Sequence, residues 1–196
     1  KVYDKKQDTI WKEKNVLAVQ DKKEIIAIGE DAYQMYEKTP PDIEVAFPMR
    51  DGVISRFNDM QNLLQNILKK NRHFSRGAEY VIAVPTDVTE VQKKAFFDLV
   101  IHSNAKAREV NIVERSIADA VGLGIDVQNT TGVMIINFGG ETTELSVLTE
   151  GGIVFNRLLK LGGTTLDQEI VNLVRNSHDF LIGSRTAEIL RQQFDV

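Results

Sequence analysis

The chain has no cysteine, no apolar run near the length of a membrane span and no surplus of positive charge. Without cysteine, disulfides and thiolate metal sites are excluded, which fits a reducing cytoplasm. A spanning helix needs roughly 20 consecutive apolar residues, and the opening KVYDKKQDTIW lacks the apolar core of a signal peptide. Lys and Arg total 24 against 28 Asp and Glu, a net charge of −4. That balance argues against a nucleic-acid partner, whose phosphates require a basic face. The three histidines, His73, His102 and His178, lie far apart in sequence without ligand spacing, so no metal site is expected from them. There is no low-complexity tract and no short-period repeat, and the lack of an initiator Met marks the chain as a candidate fragment.

What is present is an ordinary soluble balance, 42% hydrophobic and 27% charged over 196 residues, enough for one good core or two small lobes. The first half predicts a hairpin from Val2-Tyr3 and Thr9 to Trp11, strands over 15–19 and 25–28, and a helix over 30–37 stopped by Pro40-Pro41. Extended pieces follow at Val45 to Phe47 and Val53-Ile54, around Arg50-Asp51-Gly52. Asn58 is expected to cap a helix with Met60, Leu63, Leu64, Ile67 and Leu68 inward at helical spacing. Thr89 is expected to cap another, after the strand over 80–84, with Val91, Ala95, Phe96, Leu99 and Val100 inward. A strand at Val110 to Val113 and the small-residue helix SIADAVGLG continue the alternation, which implies a largely parallel sheet with helices packed on it.

The pattern then changes. Runs at 133–136, 144–148 and 153–161 alternate around glycine-bearing turns and read as an antiparallel meander. Thr164 or Thr165 is expected to cap a helix burying Leu166, Ile170, Leu173 and Val174, and Ser184 a last helix carrying Ala187, Ile189 and Leu190. Asp167 reads as an acid stabilising a helix's first turn.

NFGGETTEL, residues 137–145, is the segment with chemistry in it. A tight hairpin points successive backbone N–H groups into one concavity, and glycine leaves room there for phosphate. Gly139, Gly140, Thr142 and Thr143 supply that shape, while Glu141 opposes it: a carboxylate about 5 Å from one phosphate charge repels by roughly 3 kcal/mol at an effective dielectric near 20, about a hundredfold in affinity. A positive φ at Glu141 would add about 1 kcal/mol of strain. The residues alone allow an ordinary hairpin, a turn that binds ATP, or one that binds a less anionic ligand.

Five segments recur in order: RDGVI (50–54), VIAVPTDVTEVQKKA (81–95), NFGGETTELSVLTEGGIV (137–154), LGGTTLDQEI (161–170) and IGSRTAEIL (182–190). Together they resemble the MreB family of bacterial actin-like, rod shape-determining proteins, within the actin, Hsp70 and sugar-kinase superfamily. The resemblance implies an α/β actin-like (ribonuclease H-like) fold of two lobes, with mixed sheets flanked by helices. The first lobe would be 1–15 with 58–127, carrying a small inserted subdomain at 16–57. An incomplete second lobe would begin at 128–164 and continue into a helical part at 165–196. It also implies ATP and Mg²⁺ as cofactors. Partners would be further copies of the chain or a related actin-like protein in filaments, together with an anionic membrane surface and its cell-wall machinery on the cytoplasmic side.

Carried over residue by residue, the family's metal-shell aspartate falls on Asn137 and its third turn glycine on Glu141. The water-positioning acid falls on Arg115, next to Glu114. A neutral Asn weakens the hold on Mg²⁺, a hard cation that prefers carboxylate and phosphate oxygens. A guanidinium is donor only, so Arg115 cannot be the base. Glu114 is a poor substitute if it lies on a strand, where neighbouring side chains point to opposite faces. Catalytic residues are therefore not intact, ATP and Mg²⁺ binding is expected to be weak or lost, and Arg115 is free to be a solvent-facing cation or to pair with Glu141. The base and ribose contacts of the family fall on Ala187, Glu188 and Arg191, the last two being three apart and so on one helical face; an exposed ion pair between them is the plainer reading. The cationic stretch Lys69, Lys70, Arg72, Phe74 and Arg76 stands where the family touches the membrane. Four cations at about 1 kcal/mol each near an anionic leaflet would give salt-sensitive adhesion, and a solvated helix end is the alternative.

Overall fold

The computed structural model describes residues 1–70, 77–150 and 152–193, with the backbone alone at Lys70. Its contacts divide the chain into two compact units, 1–82 with 89–112, and 83–88 with 113–196.

The first unit opens with β1 (Val2–Asp4) and β2 (Thr9–Trp11), paired antiparallel. Then come β3 (Leu17–Gln20), β4 (Glu24–Ile28), α1 (Glu30–Met35) and β5 (Ile43–Ala46). β3 is the central strand of an antiparallel three-stranded sheet, between β4 and β5. Its successive side chains point to opposite faces, and both faces are covered. Leu17 and Val19 join Ile28, Ala46, Leu63 and Ile67 in one core, while Val16 and Ala18 pack with Ala32 of α1 in another. A two-residue turn with both φ positive, Asp51 at 53° and Gly52 at 80°, links β6 (Met49–Arg50) to β7 (Val53–Ile54), the backbone hand that matches strand twist.

α2 (Phe57–Lys70) starts one residue before the expected cap: Met60 N–H bonds to the Arg56 carbonyl, so Asn58 lies inside the first turn. Leu63 and Ile67 are buried as the spacing demands. β8 (Glu79–Val84), α3 (Glu90–Ile101) and β9 (Glu109–Glu114) follow, and β8 pairs with β9. This pair is what the expected parallel sheet reduces to among the described residues; the pairings β1–β2, β3–β4, β3–β5, β6–β7, β10–β11 and β11–β12 are all antiparallel. Thr89 does cap α3, its hydroxyl accepting from Gln92 N–H while the Gln92 side chain returns to Thr89 N–H. Phe96, Leu99 and Val100 are buried, but Val91 is 79% exposed. Helical side chains tilt toward the N-terminus, so at the first turn Val91 points past the surface that its helix covers.

In the second unit α4 (Arg115–Gly122) precedes the meander of β10 (Val133–Phe138), β11 (Thr143–Thr149) and β12 (Gly152–Leu159), in that spatial order. Ala120 of α4 is buried with Ile135 and Leu148. That packing groups 113–127 with the second unit, although the sequence reading assigns those residues to the first lobe. α5 (Gly163–His178) and α6 (Ser184–Gln192) complete it. Both begin earlier than the hydroxyl residues suggest: glycines 162 and 183 are the N-caps, and Thr164 and Ser184 are already helical. Leu166 and Leu173 are exposed, contrary to expectation, and the buried α5 residues are Gly163 and Asp167. α5 turns its glycine and its acid inward because the groups they meet, a backbone turn and an arginine, are polar.

Tyr80 in β8 places its hydroxyl out of water with no hydrogen-bond partner. Burial first, and then the Asp4 carboxylate, push its ionisation above the usual tyrosine range. The native state therefore holds the phenolic proton more tightly than the unfolded chain does. The resulting stability is present below about pH 10 and lost as pH rises through the folded value. Tyr80→Phe removes an unpaired buried hydroxyl. Chemical denaturation should find it within about 1 kcal/mol of the parent at pH 7 and less weakened than the parent above about pH 10.

Candidate functional site

Three short segments of the second unit meet at the glycine turn. β10 and β11 run in register from Val133↔Leu148 to Phe138↔Thr143, and Gly139 N–H donates to the Thr142 carbonyl at 2.9 Å to close the loop. A Cβ on Gly139 would lie 2.9 Å from that same oxygen. On its other side the loop is held by the start of α5. Gly163 N–H donates to the Gly139 carbonyl at 3.0 Å, Thr164 N–H to the Gly140 carbonyl at 2.7 Å, and the Thr164 hydroxyl to the same carbonyl at 2.9 Å. The first N–H groups of a helix have no partner inside it, and here two of them are satisfied by the turn. Gly162 permits the approach: a Cβ there would sit 2.6 Å from Gly140 O and 2.7 Å from the Glu141 backbone.

The clamp decides which way the turn faces. With the carbonyls of Gly139 and Gly140 engaged by α5, the N–H groups of Gly140 and Thr142 are left without a hydrogen-bond partner among the described residues. Thr142 and Thr143 are buried, and the Thr143 hydroxyl donates to the Leu161 carbonyl at 2.6 Å. Gly139 and Gly140 have ordinary negative or extended φ, and so does Glu141. The strain expected from a left-handed Glu141 is therefore not incurred, because the loop is opened by its hydrogen bonds to α5 and not by a left-handed residue.

On the face of the meander toward α4 lies a polar cluster that the sequence reading misses. Glu144, opposite Asn137 in the ladder, is only 2% exposed. Its Oε1 accepts from Thr86 N–H at 2.8 Å, Asn156 Nδ2 at 3.0 Å and Ser116 Oγ at 3.4 Å. Ser116 Oγ is also 2.5 Å from Ser146 Oγ and 3.0 Å from Thr86 Oγ1. Glu144 Oε2 makes no hydrogen bond and lies 3.8 Å from Arg115 Nη1. A buried carboxylate is costly unless several donors and a counter-charge surround it, and those groups converge here from four segments. The alternation of β11, with residues 144, 146 and 148 buried, is the sequence signal that would have flagged Glu144 as inward.

Arg115 thus pairs with Glu144 and not with Glu141. Glu114 ends β9 and is the N-cap of α4, with Arg115 the first helical residue, so strand alternation does not govern the two side chains. Asn137 is half-buried and spends its amide on Asp119 of α4, Nδ2 to Oδ2 at 2.6 Å, which brings a carboxylate to the mouth of the turn from a position not singled out in the sequence. Ala187 is fully buried, and Glu188 accepts from Gln192 Nε2 at 3.3 Å. Arg191 forms a two-pronged pair with Asp167, 2.6 and 3.3 Å. Asp167 is the fifth residue of α5 and 7% exposed, past the first turn that a dipole-stabilising acid would occupy. Of the expected membrane residues, Lys69 is exposed at the end of α2; Arg72, Phe74, Arg76 and the side chain of Lys70 lie outside the described residues.

Gly162→Ala should test the clamp. Its Cβ meets backbone and not a flexible side chain, so the turn and α5 must part, at a cost of about 1–3 kcal/mol. Urea denaturation should show that loss, and the Gly163 and Thr164 amides should lose protection from hydrogen exchange.

Comparison with known proteins bears on the whole chain. The family model described as MreB/Mbl protein matches residues 1–195. The cell shape-determining protein MreB of Escherichia coli strain K12 is 34% identical over 200 residues, covering 98% of this chain and 57% of that protein. The chain thus spans little more than half the length of such relatives. Among solved structures, the crystal structure of MreB5 of Spiroplasma citri bound to AMPPNP matches with a TM-score of 0.89 and 31% identity, over 97% of this chain and 58% of that one. The ADP-bound form of MreB5 gives 0.86 and 32%, over 95% and 56%. With an actin-like α/β fold established by these structures and a family model spanning all but the last residue, the chain belongs to the MreB/Mbl family.

Proposed function

We propose that this chain is part of an actin-like cytoskeletal protein that acts in bacterial cell shape, assembling with copies of itself or a related subunit at the cytoplasmic face of the membrane. We further propose that its nucleotide site binds ATP weakly and hydrolyses it poorly. Membership of the family, and the shape-determining name of its Escherichia coli relative, support the first part. MreB5 holds ADP in one structure and AMPPNP in another, and the N–H groups of Gly140 and Thr142, without a partner among the described residues, suit phosphate oxygens. The basic stretch after α2 is what supports the membrane assignment.

The observation that carries the second part is Arg115. Positioning the attacking water requires an acceptor. A guanidinium supplies only donors, and this one pairs with the buried Glu144 carboxylate at 3.8 Å. Bound nucleotide would supply the phosphoryl group and its magnesium. The chain would contribute the turn's N–H groups, with Glu141 at its tip acting against the phosphate charge. Asp119 favours a second reading, an active ATPase whose polymerisation is controlled by nucleotide. Its carboxylate beside Asn137 returns to the mouth of the turn the negative charge that asparagine omits, and Mg²⁺ takes such oxygens.

In the full-length protein, sedimentation should find polymers. Millimolar ATP with Mg²⁺ should raise the melting midpoint by only a few degrees, since stabilisation grows as the logarithm of ligand over Kd. Phosphate release should stay at the buffer background and rise in Arg115→Glu. Release well above background in the parent would favour the active ATPase.

A further inference from the structure

Arg191 stands where the family's base-contacting cation would fall, yet its fork is directed at another residue. Nε donates to Asp167 Oδ1 at 2.6 Å and Nη2 to Oδ2 at 3.3 Å, with the Asp167 side chain 9% exposed and that of Arg191 30%. Two parallel charge-assisted bonds fix a guanidinium in plane as well as in position. The same guanidinium lies over the first residue of α5: a Cβ on Gly163 would be 3.1 Å from Arg191 Nη2. Gly163 is the residue whose N–H holds the Gly139 carbonyl, and Thr164 beside it holds that of Gly140. A series of close approaches therefore runs from α6, through a part-buried ion pair and a glycine over which the guanidinium sits, to the carbonyls of the glycine turn.

We propose that Asp167 and Arg191 are positioning residues: the pair seats the first turn of α5 so that Gly163 and Thr164 hold the glycine turn with its N–H groups outward. Arg191 then acts on nucleotide through the turn and not by touching the base or ribose. The nucleotide part of this inference rests on the proposed function above; the seating of the turn does not. Asp167 is the residue that a reading of spacing alone passes over, because an acid near a helix start has a simpler use.

The test is a double-mutant cycle in the full-length protein with Asp167→Asn, Arg191→Ala and the combination, plus Arg191→Lys, which keeps the charge and loses the fork. Two readouts are needed: the affinity for AMPPNP with Mg²⁺, and hydrogen exchange at the Gly163 and Thr164 amides. The two single variants should weaken AMPPNP binding equally, by about tenfold, and the double by no more than either. Exchange at the two amides should quicken in all of them while that of Ile135 in the unit's core is unchanged, and Arg191→Lys should not restore the parent values. Loss of binding in Arg191→Ala with unaltered binding in Asp167→Asn would mean that arginine touches the nucleotide directly and would overturn the proposal. So would unchanged exchange at Gly163 and Thr164. If the parent fails to bind AMPPNP, the nucleotide reading falls, and the exchange measurement alone still decides whether the pair seats the turn.

Discussion

Two backbone hydrogen bonds, from Gly163 and Thr164 to the carbonyls of Gly139 and Gly140, set the geometry on which the candidate site rests. A tight hairpin loop has both donors and acceptors to satisfy, and which set is left unbonded decides whether it attracts anions or cations. Here the N-terminus of a 16-residue helix takes the acceptors. It can do so only because Gly162 lets backbone approach backbone at a distance that a methyl group would occupy. The donors are then the groups that remain.

A second constraint acts from beneath. Glu144, carried on the strand that leaves the turn, is buried and bonded to Thr86 N–H, Ser116 and Asn156, so the loop after β8, the start of α4 and β12 all register on one carboxylate. Removing a single partner from such a network exposes the others to the cost of an unmet buried polar group. Arg115 belongs to this network as a cation 3.8 Å from Glu144 Oε2. Its guanidinium offers donors and no acceptor to the site, and it offsets a charge that the fold has buried.

Much of the fold was legible because it follows local rules. The Thr89 cap, the glycine-separated meander and a strand expected over 15–19, found at 17–20, each have a signature in composition or spacing, and each formed. Expectations that depended on which face of a helix meets which neighbour did worse. Val91 and Leu173 fit the helical period yet lie exposed, while Asp167 breaks it and is buried. Periodicity records where apolar groups recur, not whether an arginine on another helix supplies a better partner. The start of α5 was misplaced for a related reason: a glycine was needed for close approach at 162, so the threonines fell inside the helix instead of at its cap. The turn at 137–145 was found from its glycines, but of the residues that govern it Glu144 was read only as part of a strand, while Asp119 lies 18 positions before the segment and Asp167 22 after it, joined to it only in three dimensions.

The orientation of the glycine turn is the claim most directly open to measurement. Backbone amide resonances of the full-length protein should be followed during titration with Mg²⁺-AMPPNP. The account requires the Gly140 and Thr142 amides to shift with ligand while those of Gly163 and Thr164 hold their positions, since they are already bonded. Shifts at Gly163 and Thr164, with Gly140 and Thr142 unmoved, would show that the helix N-terminus and not the turn receives the phosphate, and would contradict it.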